Sequence, residues 1–479
     1  MKKLFKLSLA YGGVMSTISL YNNYIKPAPA DPQLHQKKNK RVVVVGAGIV
    51  GLGTAYYLSQ YPENEVILIE KGEKCAQECS VQNGCLLMRY NAVPWTFRPL
   101  MDVVKGVWRS DTSQAIYLTK ALQEPGMFKF FWYWMQQRNK SKVTADIMKL
   151  NDLQELLMDQ LLISTGITPQ SINYENDAVS YAFDVLKGID VKKAYEEYQK
   201  IMPVLPHGAK QEIVFGKEEL QERVFKHFPK YTGLLKYHLA IVNPNYTLNT
   251  QLFCQKLDEY LRTKSQSNVQ VFYKTELENF VFHDEQKHLI KGIKLRGKNE
   301  ILECDAVVLC AGSFIARLLK TNFNLVCPVI PVKGYTMDIP SDAPMNKIHF
   351  GFKDIAFVAT HIDPGYWRIA AFGDLSGQDK SFDPRRVRFL KNIVSERLDK
   401  TELYQYKNLN TCLRPVPPDD LPIIGNLRFF PNVYINAGHS GRGTTFGLAT
   451  CKLVTEQLME EKVTCVEDPK PYSPRRFQL

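Results

Sequence analysis

The sequence predicts an α/β fold of two intertwined domains, one built on a parallel sheet and the other on a mixed or antiparallel sheet. Two apolar β-branched runs, Arg41–Val45 and Glu65–Glu70, enclose a segment of helical character and complete a strand–helix–strand unit. From Pro328 to Phe372, short alternating segments are broken by Pro, Gly and Asp, as is typical of antiparallel strands. At 479 residues the chain is too long for one compact core, which favours two domains.

Composition argues against several classes of protein. The formal net charge is +12, but the Lys and Arg residues are scattered and no nucleic-acid-binding module accompanies them, so we expect no nucleic-acid partner. Ten cysteines in so long a chain do not resemble the dense disulfide framework of small secreted domains. Cys75, Cys79 and Cys85 match no zinc or ferredoxin spacing and have no nearby His, so we expect them to be packed and to bind no metal.

Residues 1–40 differ in character from the rest of the chain and are interpreted as a targeting segment and linker. Lys2, Lys3 and Lys6 precede a mildly apolar run, Leu7–Tyr21, and no acidic residue occurs before Asp31. The run is shorter than the roughly 20 residues that span a bilayer. The pattern favours a mitochondrial or membrane-associated location, with peripheral membrane association open, although the absence of arginine counts against a mitochondrial address. A secretory signal and a disordered tail on a cytoplasmic protein remain alternatives.

Three further patterns divide the folded part of the chain. Strand-like runs return at Val269–Tyr273 and Cys304–Cys310, and a helix-like segment, Leu448–Glu461, follows a Gly-rich stretch near the end. The region from about 100 to 235 lies between the strand–helix–strand unit and these later strands. It is rich in aromatic residues and has helical periodicity, for example at Val191–Ile201, but contains no cofactor-like loop. We therefore assign 41–100, 236–325 and 405–465 to the first domain, 101–235 and 326–404 to the second, and 466–479 to a tail.

A glycine fingerprint follows the first strand directly, and Glu70 ends the next strand 19 residues after Gly51. Gly46 permits a tight turn, Gly48 lets the backbone approach a pyrophosphate, and Gly51 allows the helix to pack closely on the strand. Glu70 is expected to accept hydrogen bonds from an adenosine ribose, which disfavours NADP. The pattern predicts a dinucleotide held by Gly46, Ala47, Gly48, Ile49, Val50, Gly51 and Glu70, but by itself it does not separate FAD from NAD.

Four further motifs occur in the order found in a known family. The segment 75–84 (CAQECSVQNG) resembles the flavin-side loop of the D-amino-acid oxidase superfamily, and especially of the D-amino-acid dehydrogenase small subunit. Segments 305–313 (DAVVLCAGS), 328–335 (PVIPVKGY) and 413–425 (LRPVPPDDLPIIG) extend the similarity, and 438–444 (GHSGRGT) adds a fifth motif. The resemblance implies a discontinuous, glutathione-reductase-like Rossmann domain that binds FAD, and a mixed-sheet domain that covers the isoalloxazine.

The resemblance also implies roles for individual residues. Ser80, Asn83 and Gly84 correspond to positions along the flavin, and the backbone of Gly443 and Thr444, at a helix N-terminus, is expected to face its pyrimidine end. The predicted cofactor contacts are completed by Lys71, Leu277, Ala311 and Gly312.

At the substrate end, Arg414 lies in an LRP context that matches the family's carboxylate-binding arginine. Tyr335 is expected to offer a hydroxyl to the same end of the substrate. His439 is expected to have a minor role, since the resemblance implies hydride transfer from a neutral amine, which needs no protein base. Three residues depart from the family pattern: Cys79 replaces a usual Thr, Cys85 replaces a usual Gly, and Arg442 lies inside the terminal Gly-rich loop. These departures concern the identity of the substrate more than that of the cofactor.

The expected reaction is oxidation of the CH–NH bond of a D-amino acid to the imino acid by hydride transfer to flavin N5. One alternative is a glycine- or sarcosine-type amine oxidase or dehydrogenase, and another is a non-catalytic flavin-binding assembly factor. The motifs leave the electron acceptor open among oxygen, a quinone and a carrier protein.

Overall fold

The computed structural model describes most of the chain from residue 39 onward. The described residues are 39–87, 94–97, 105–137, 139–184, 196, 212–228, 232–263, 268–340, 348–352, 354–363, 365–398, 406–460 and 462–479. The predicted targeting segment and nearly all of the periodic stretch 191–201 lie outside these residues. Within them, no helix is both long enough and apolar enough to cross a membrane.

The strands are numbered in chain order. They are β1 Arg41–Val45, β2 Glu65–Ile69, β3 Leu86–Leu87, β4 Glu175–Asp184, β5 Glu212–Phe215, β6 Leu239–Thr247, β7 Val269–Phe272, β8 Leu277–Phe282, β9 Ile290–Leu295, β10 Ile301–Glu303, β11 Ala306–Leu309, β12 Ile330–Pro340, β13 Ile348–Phe352, β14 Phe357–Asp363, β15 Tyr366–Asp374, β16 Lys407–Val416, β17 Ile423–Leu427 and β18 Phe430–Ala437.

The helices follow the same convention. They are α1 Ile49–Ser59, α2 Leu118–Ala121, α3 Met127–Met135, α4 Lys140–Thr165, α5 Lys217–Arg223, α6 Thr250–Thr263, α7 Ile315–Phe323, α8 Pro384–Leu398 and α9 Gly443–Met459.

The first domain is built on a six-stranded sheet in the order β17-β18-β11-β1-β2-β7. Its pairings are parallel except for β17, which runs antiparallel to β18 at one edge. In the register, Val43 of β1 lies between Val307 of β11 and Ile67 of β2. These side chains are buried because this face of the sheet packs against α7 and against a separate three-stranded sheet in the order β10-β9-β8. Burial on both faces explains why the strands are continuous apolar runs in the sequence. The predicted α/β fold with a parallel sheet is confirmed.

The second domain contains a larger sheet in the order β16-β12-β15-β14-β13-β4-β6-β3, with β5 added beside β6. Its pairings are antiparallel apart from the parallel pair β13 and β4, so the sheet is mixed as predicted. One face packs against α8 through an aromatic core that includes Phe350, Phe357 and Trp367. The opposite face is turned toward the first domain.

The structure corrects the domain boundaries that the sequence suggested. Three strands assigned to the first domain, β3, β6 and β16, belong to the larger sheet of the second. Conversely, α4 lies in the segment assigned to the second domain but packs into the core of the first, where Gln154 Oε1 accepts a hydrogen bond from the backbone N–H of Leu448. A short apolar strand does not reveal which sheet it joins, because that depends on contacts distant in sequence.

The segment 466–479, expected to be a tail, is packed on the first domain. Phe477 and Leu479 are buried in its core, and Arg476 pairs with Asp419 at 2.7 Å. These contacts tie the C-terminus to the loop that precedes β17.

Candidate functional site

A cavity of about 1890 Å³ separates the two domains. Val45, Ile69 and Ala437, the last residues of three strands of the first sheet, open into it, and Ala370 and Leu413 of the second sheet form the facing wall. Ligands of open α/β sheets bind outside the carboxyl ends of the strands. The cavity exceeds the roughly 300–1,000 Å³ of most small-ligand pockets, so it has room for a dinucleotide and a small second molecule.

The glycine fingerprint forms the turn between β1 and α1. Gly46 has a φ of +105°, and a Cβ at this position would lie 2.7 Å from the carbonyl oxygen of Cys310. A Cβ at Gly51 would lie 1.7 Å from the carbonyl oxygen of Gly46, so the helix touches the turn where only glycine fits. The N-terminus of α1 borders the cavity at Gly48, and its positive dipole end suits a pyrophosphate.

Glu70 fixes the turn and also borders the cavity. Its Oε2 accepts a hydrogen bond from Ala47 N at 2.8 Å, and its Oε1 accepts one from Gly72 N at 2.7 Å. Each carboxylate oxygen has a second acceptor direction, so the residue can still bind ribose hydroxyls. Beside it, the Lys71 ammonium lies 3.4 Å from the centre of the Phe314 ring, at the cavity wall.

The loop predicted to lie along the flavin is held by its own side chains. Ser80 Oγ accepts a hydrogen bond from Ile49 N at 3.0 Å, so the loop touches the first turn of α1. Asn83 donates to the carbonyl oxygen of Ser80 at 2.8 Å, and its Oδ1 accepts from Thr250 Oγ1 at 3.3 Å. Thr250 in turn lies 3.2 Å from Thr444 Oγ1, which links the loop to the start of α9.

The remaining predicted cofactor residues also surround this cavity. The structure brings Gly84, Leu277, Ala311, Gly312, Gly443 and Thr444 to its wall, together with Val50 of the fingerprint. The turn, the helix N-terminus, the carboxylate and the large cavity fit FAD. These residues would hold its adenosine, pyrophosphate and flavin portions in that order along the cleft.

Arg414 reaches the cavity from β16. Its Nη1 donates to the carbonyl oxygen of Phe372 at 2.5 Å, and a Cβ at the facing Gly334 would lie 2.5 Å from Arg414 Nη2. Glycine at position 334 therefore makes room for the guanidinium. Among the residues that the structure describes, no carboxylate lies within ion-pairing distance of Arg414, so its charge is available to an anion in the cavity.

Tyr335 does not reach the cavity, and the structure corrects its predicted role. It lies on the opposite face of β12, fully buried in the aromatic core, with its ring 5.8 Å from that of Phe372. Side chains of a strand alternate between faces, and Gly334 occupies the cavity side at this point. A hydroxyl at position 335 is therefore a packed core group and not a substrate ligand.

His439 borders the cavity, but its ring contacts other side chains of the protein. Its Nε2 lies 2.8 Å from Thr450 Oγ1, and the ring packs against Phe446. Burial lowers the pKa of His439 to about 3, because a charged imidazole would lose its hydration there. The side chain is thus neutral near pH 7 and positions the Gly-rich loop.

Arg442 is a structural residue of the same loop. Its Nη1 lies 2.5 Å from Asp420 Oδ2, and both side chains are buried. Asp420 also accepts hydrogen bonds from Ser440 Oγ and, at 2.6 Å, from the backbone N–H of Trp95. Arg442 also lines the cavity, as its position near the expected rim of the site implied, but Asp420 compensates its charge.

Sequence reasoning missed three contributors to the substrate end. Phe372 supplies the carbonyl that holds Arg414 and has a φ of +65°, which the sequence does not signal. Trp95 lines the cavity and would lie 2.8 Å from a Cβ at Gly373. Cys412 also lines the cavity, and here a signal existed: it precedes Arg414 by two positions in one strand, so both face the same side.

Fold and site together define an FAD-dependent oxidoreductase with a dinucleotide-binding domain and a sheet domain facing the flavin. The chain belongs to the DAO family of FAD-dependent oxidoreductases, whose model matches residues 41–457. The resemblance noted in the sequence is thereby confirmed, as is FAD as the cofactor.

Solved structures with this fold span most of the chain. The glycine oxidase from Geobacillus kaustophilus is 17% identical, with a TM-score of 0.67 over 91% of this chain and 98% of that chain. The L-proline dehydrogenase from P.horikoshii is 17% identical, with a TM-score of 0.63 over 92% and 98%. The L-amino acid deaminase from Proteus myxofaciens is 14% identical, with a TM-score of 0.61 over 95% and 96%. At these identities the likeness establishes the shared fold.

Proposed function

We propose that the protein oxidises the carbon–nitrogen bond of an amino acid, and specifically of a D-amino acid, to the imino acid. The observation that carries this proposal is Arg414, which presents a guanidinium to the cavity without a carboxylate partner among the described residues. Arg414 is half-buried in the cavity wall, and a guanidinium there without a carboxylate partner favours a site that is completed by an anionic ligand. The D-configuration rests on the similarity of the loop 75–84 to D-amino-acid dehydrogenases.

The residues around Arg414 orient a substrate and need not take a proton from carbon. The carbonyl oxygen of Phe372 holds one edge of the guanidinium, which leaves the other N–H groups for a carboxylate. Binding at this point directs the neighbouring α-carbon toward the loop formed by Ser80, Asn83 and Gly84. When bound there, FAD supplies the two-electron acceptor. His439 is neutral and hydrogen-bonded to Thr450, so it is unsuited to act as the base.

A second candidate is oxidation of glycine, sarcosine or another secondary amine. It is favoured by the names of two structural neighbours, a glycine oxidase and an L-proline dehydrogenase, and it would use Arg414 in the same way. A flavin-binding assembly factor without turnover is less well supported, because it would have no need of a cavity-facing arginine. Oxygen, a quinone and a carrier protein all remain candidates for the electron acceptor.

The direct test is anaerobic absorbance of the purified FAD-loaded protein. D-alanine, L-alanine, glycine and sarcosine would be added separately, and bleaching of the flavin bands would be followed. Bleaching by D-alanine alone is the expected result. Bleaching by glycine or sarcosine would instead support the second candidate, oxidation of glycine or a secondary amine. Bound flavin that none of the four compounds reduces would contradict both.

A further inference from the structure

Two cysteine side chains meet at the substrate end of the cavity. Cys79 Sγ donates to the carbonyl oxygen of Leu413 at 2.9 Å, and Cys412 Sγ donates to the carbonyl oxygen of Gln82 at 3.0 Å. Each thiol thus bonds to the backbone of the segment that carries the other, although the two cysteines are 333 positions apart in the sequence. This crossed arrangement holds the two sulfurs side by side between the flavin-side loop and β16.

The thiol pair is accessible from the cavity. Both cysteines line it, as does Arg414, which lies two positions after Cys412 on the same side of β16. Cys79 is only half-buried, so a small molecule that enters the cavity can reach the sulfurs. Among the described residues, no cluster of His, Cys, Asp or Glu around the pair could bind a metal ion together with these thiols.

Cys412 is the more acidic member of the pair. A hydrogen bond with Cys79 and the positive charge of Arg414 lower the pKa of the Cys412 thiol, whereas the same contact and burial raise that of Cys79. All ten cysteines lie in the described residues, and burial raises the pKa of each of the other eight. Nucleophilic reactivity requires the thiolate, so Cys412 is the cysteine most suited to react first.

We propose that Cys79 and Cys412 form a reversible disulfide when hydrogen peroxide enters the cavity. The Cys412 thiolate attacks the peroxide, the O–O bond breaks, and a sulfenic acid and, after proton uptake, water are formed. The Cys79 thiol then attacks the sulfenic sulfur, the S–S bond forms, and the S–O bond breaks with release of a second water. The two sulfurs together lose two electrons to the peroxide, and an added thiol reductant reverses the change.

The disulfide would join the flavin-side loop to the strand that carries Arg414. It would remove both thiol hydrogen bonds and change the backbone next to Arg414 at Leu413. We therefore expect the oxidised enzyme to bind a carboxylate substrate less well, and this consequence, unlike the disulfide itself, rests on the proposed function. Failure of the proposed function would leave formation of the disulfide unaffected.

The test uses the full-length FAD-loaded protein, exposed to dilute hydrogen peroxide and then alkylated and digested. Mass spectrometry is expected to find the peptides of Cys79 and Cys412 linked, with the loss of two hydrogen atoms, and dithiothreitol should separate them. Fragmentation of the linked peptide distinguishes Cys79 from Cys75 and Cys85, which lie nearby in the sequence. The Cys85→Ser variant is the matched control and should retain the link, while Cys79→Ser and Cys412→Ser should lose it.

A second probe does not depend on peroxide. Phenylarsine oxide bridges two adjacent thiols, so the wild-type protein should bind it tightly and each single Ser variant of the pair should bind it at least about tenfold more weakly. Flavin content of each variant shows whether it is folded. Peroxide treatment that oxidises Cys412 without linking it to Cys79, or equal arsenical binding by wild type and Cys412→Ser, would overturn the proposal.

Discussion

The two ends of the cavity are built in different ways. The dinucleotide end consists of a short stretch of chain, the turn Gly46–Gly51 with Glu70, and acts mainly through backbone N–H groups and a helix N-terminus. The substrate end is assembled from Gly334, Phe372 and Arg414 on three different strands, and acts through one side chain and its neighbours. The first end is specified by local geometry, and the second only by the tertiary fold.

This difference determines how each end should respond to substitution. At the dinucleotide end, added volume is damaging because the backbone has no room for it. At the substrate end, loss of the charge of Arg414 is the damaging change, because one guanidinium there is expected to bind the substrate. The predictions below test this contrast, from the largest expected effect to the smallest.

The Gly51→Ala substitution should abolish FAD binding. A methyl group there would lie 1.7 Å from the carbonyl oxygen of Gly46, so α1 must move away from the turn that holds the pyrophosphate. The ratio of flavin to protein absorbance after purification measures the effect. Gly447→Ala is the matched control, since its new methyl group would meet Val50 at 3.8 Å, an ordinary contact. A Gly51→Ala protein with full flavin content would refute the steric argument.

The Glu70→Gln substitution should weaken FAD binding without abolishing it. Both carboxylate oxygens of Glu70 accept hydrogen bonds from backbone N–H groups. In glutamine an NH2 group replaces one of these oxygens, so it would face a backbone N–H and could not accept its hydrogen bond. Hydrogen bonds to charged groups contribute about 1.5–3 kcal/mol, so affinity should fall by about 10- to 150-fold. Titration of the apoprotein with FAD, followed by flavin fluorescence, gives the dissociation constant. Glu65→Gln, which removes a surface pair with Arg41, should leave it unchanged.

Stability should fall between pH 6.5 and about pH 3, in part because of His439. Burial lowers the folded-state pKa of His439 to about 3. As the pH falls below about 6.5, the residue therefore binds a proton in the unfolded chain but not in the folded chain. Above that pH the residue is neutral in both states and contributes nothing. At 1.36 kcal/mol per pH unit, the loss attributable to His439 is about 2 kcal/mol at pH 5.

Urea unfolding of wild type and His439→Gln at pH 7 and pH 5 checks this expectation. The variant should lose less stability on acidification, although some loss remains because burial also lowers the pKa of His349 to about 3. The exposed His283→Gln is the control and should behave as wild type. Equal acid sensitivity of wild type and His439→Gln would show that the residue is not buried as neutral imidazole. Flavin reduction by substrate should survive in His439→Gln.

The dinucleotide end could be predicted almost entirely from the sequence. The run VVVV, the spacing of three glycines and Glu70 at the end of the next strand specify a parallel strand–helix–strand unit without knowledge of the rest of the chain. The mixed sheet after Pro328 was predictable for the same reason, because alternation and turn residues are local signals.

The substrate end was predicted only in part, because its partners meet through long-range pairing. The family motif led to Arg414, but not to the carbonyl of Phe372 that orients it. Tyr335 was assigned to the wrong face of its strand, since the motif gives a position and not the direction of a side chain. The thiol pair of Cys79 and Cys412 could not be predicted from spacing, because the fold alone brings the two segments together.

The central claim is that Arg414 binds the carboxylate of an amino-acid substrate beside FAD. The most direct measurement is the anaerobic rate of flavin reduction as a function of substrate concentration in Arg414→Met, compared with wild type and with Arg109→Met. Arg109 lines the same cavity but is paired with Asp111 at 2.6 Å, so its loss should have little effect. Losing a partner of a buried charge pair costs about 2–5 kcal/mol, so we predict that Arg414→Met keeps its flavin and that the second-order rate of reduction falls by at least about 30-fold. A normal rate in Arg414→Met with full flavin content would contradict the account.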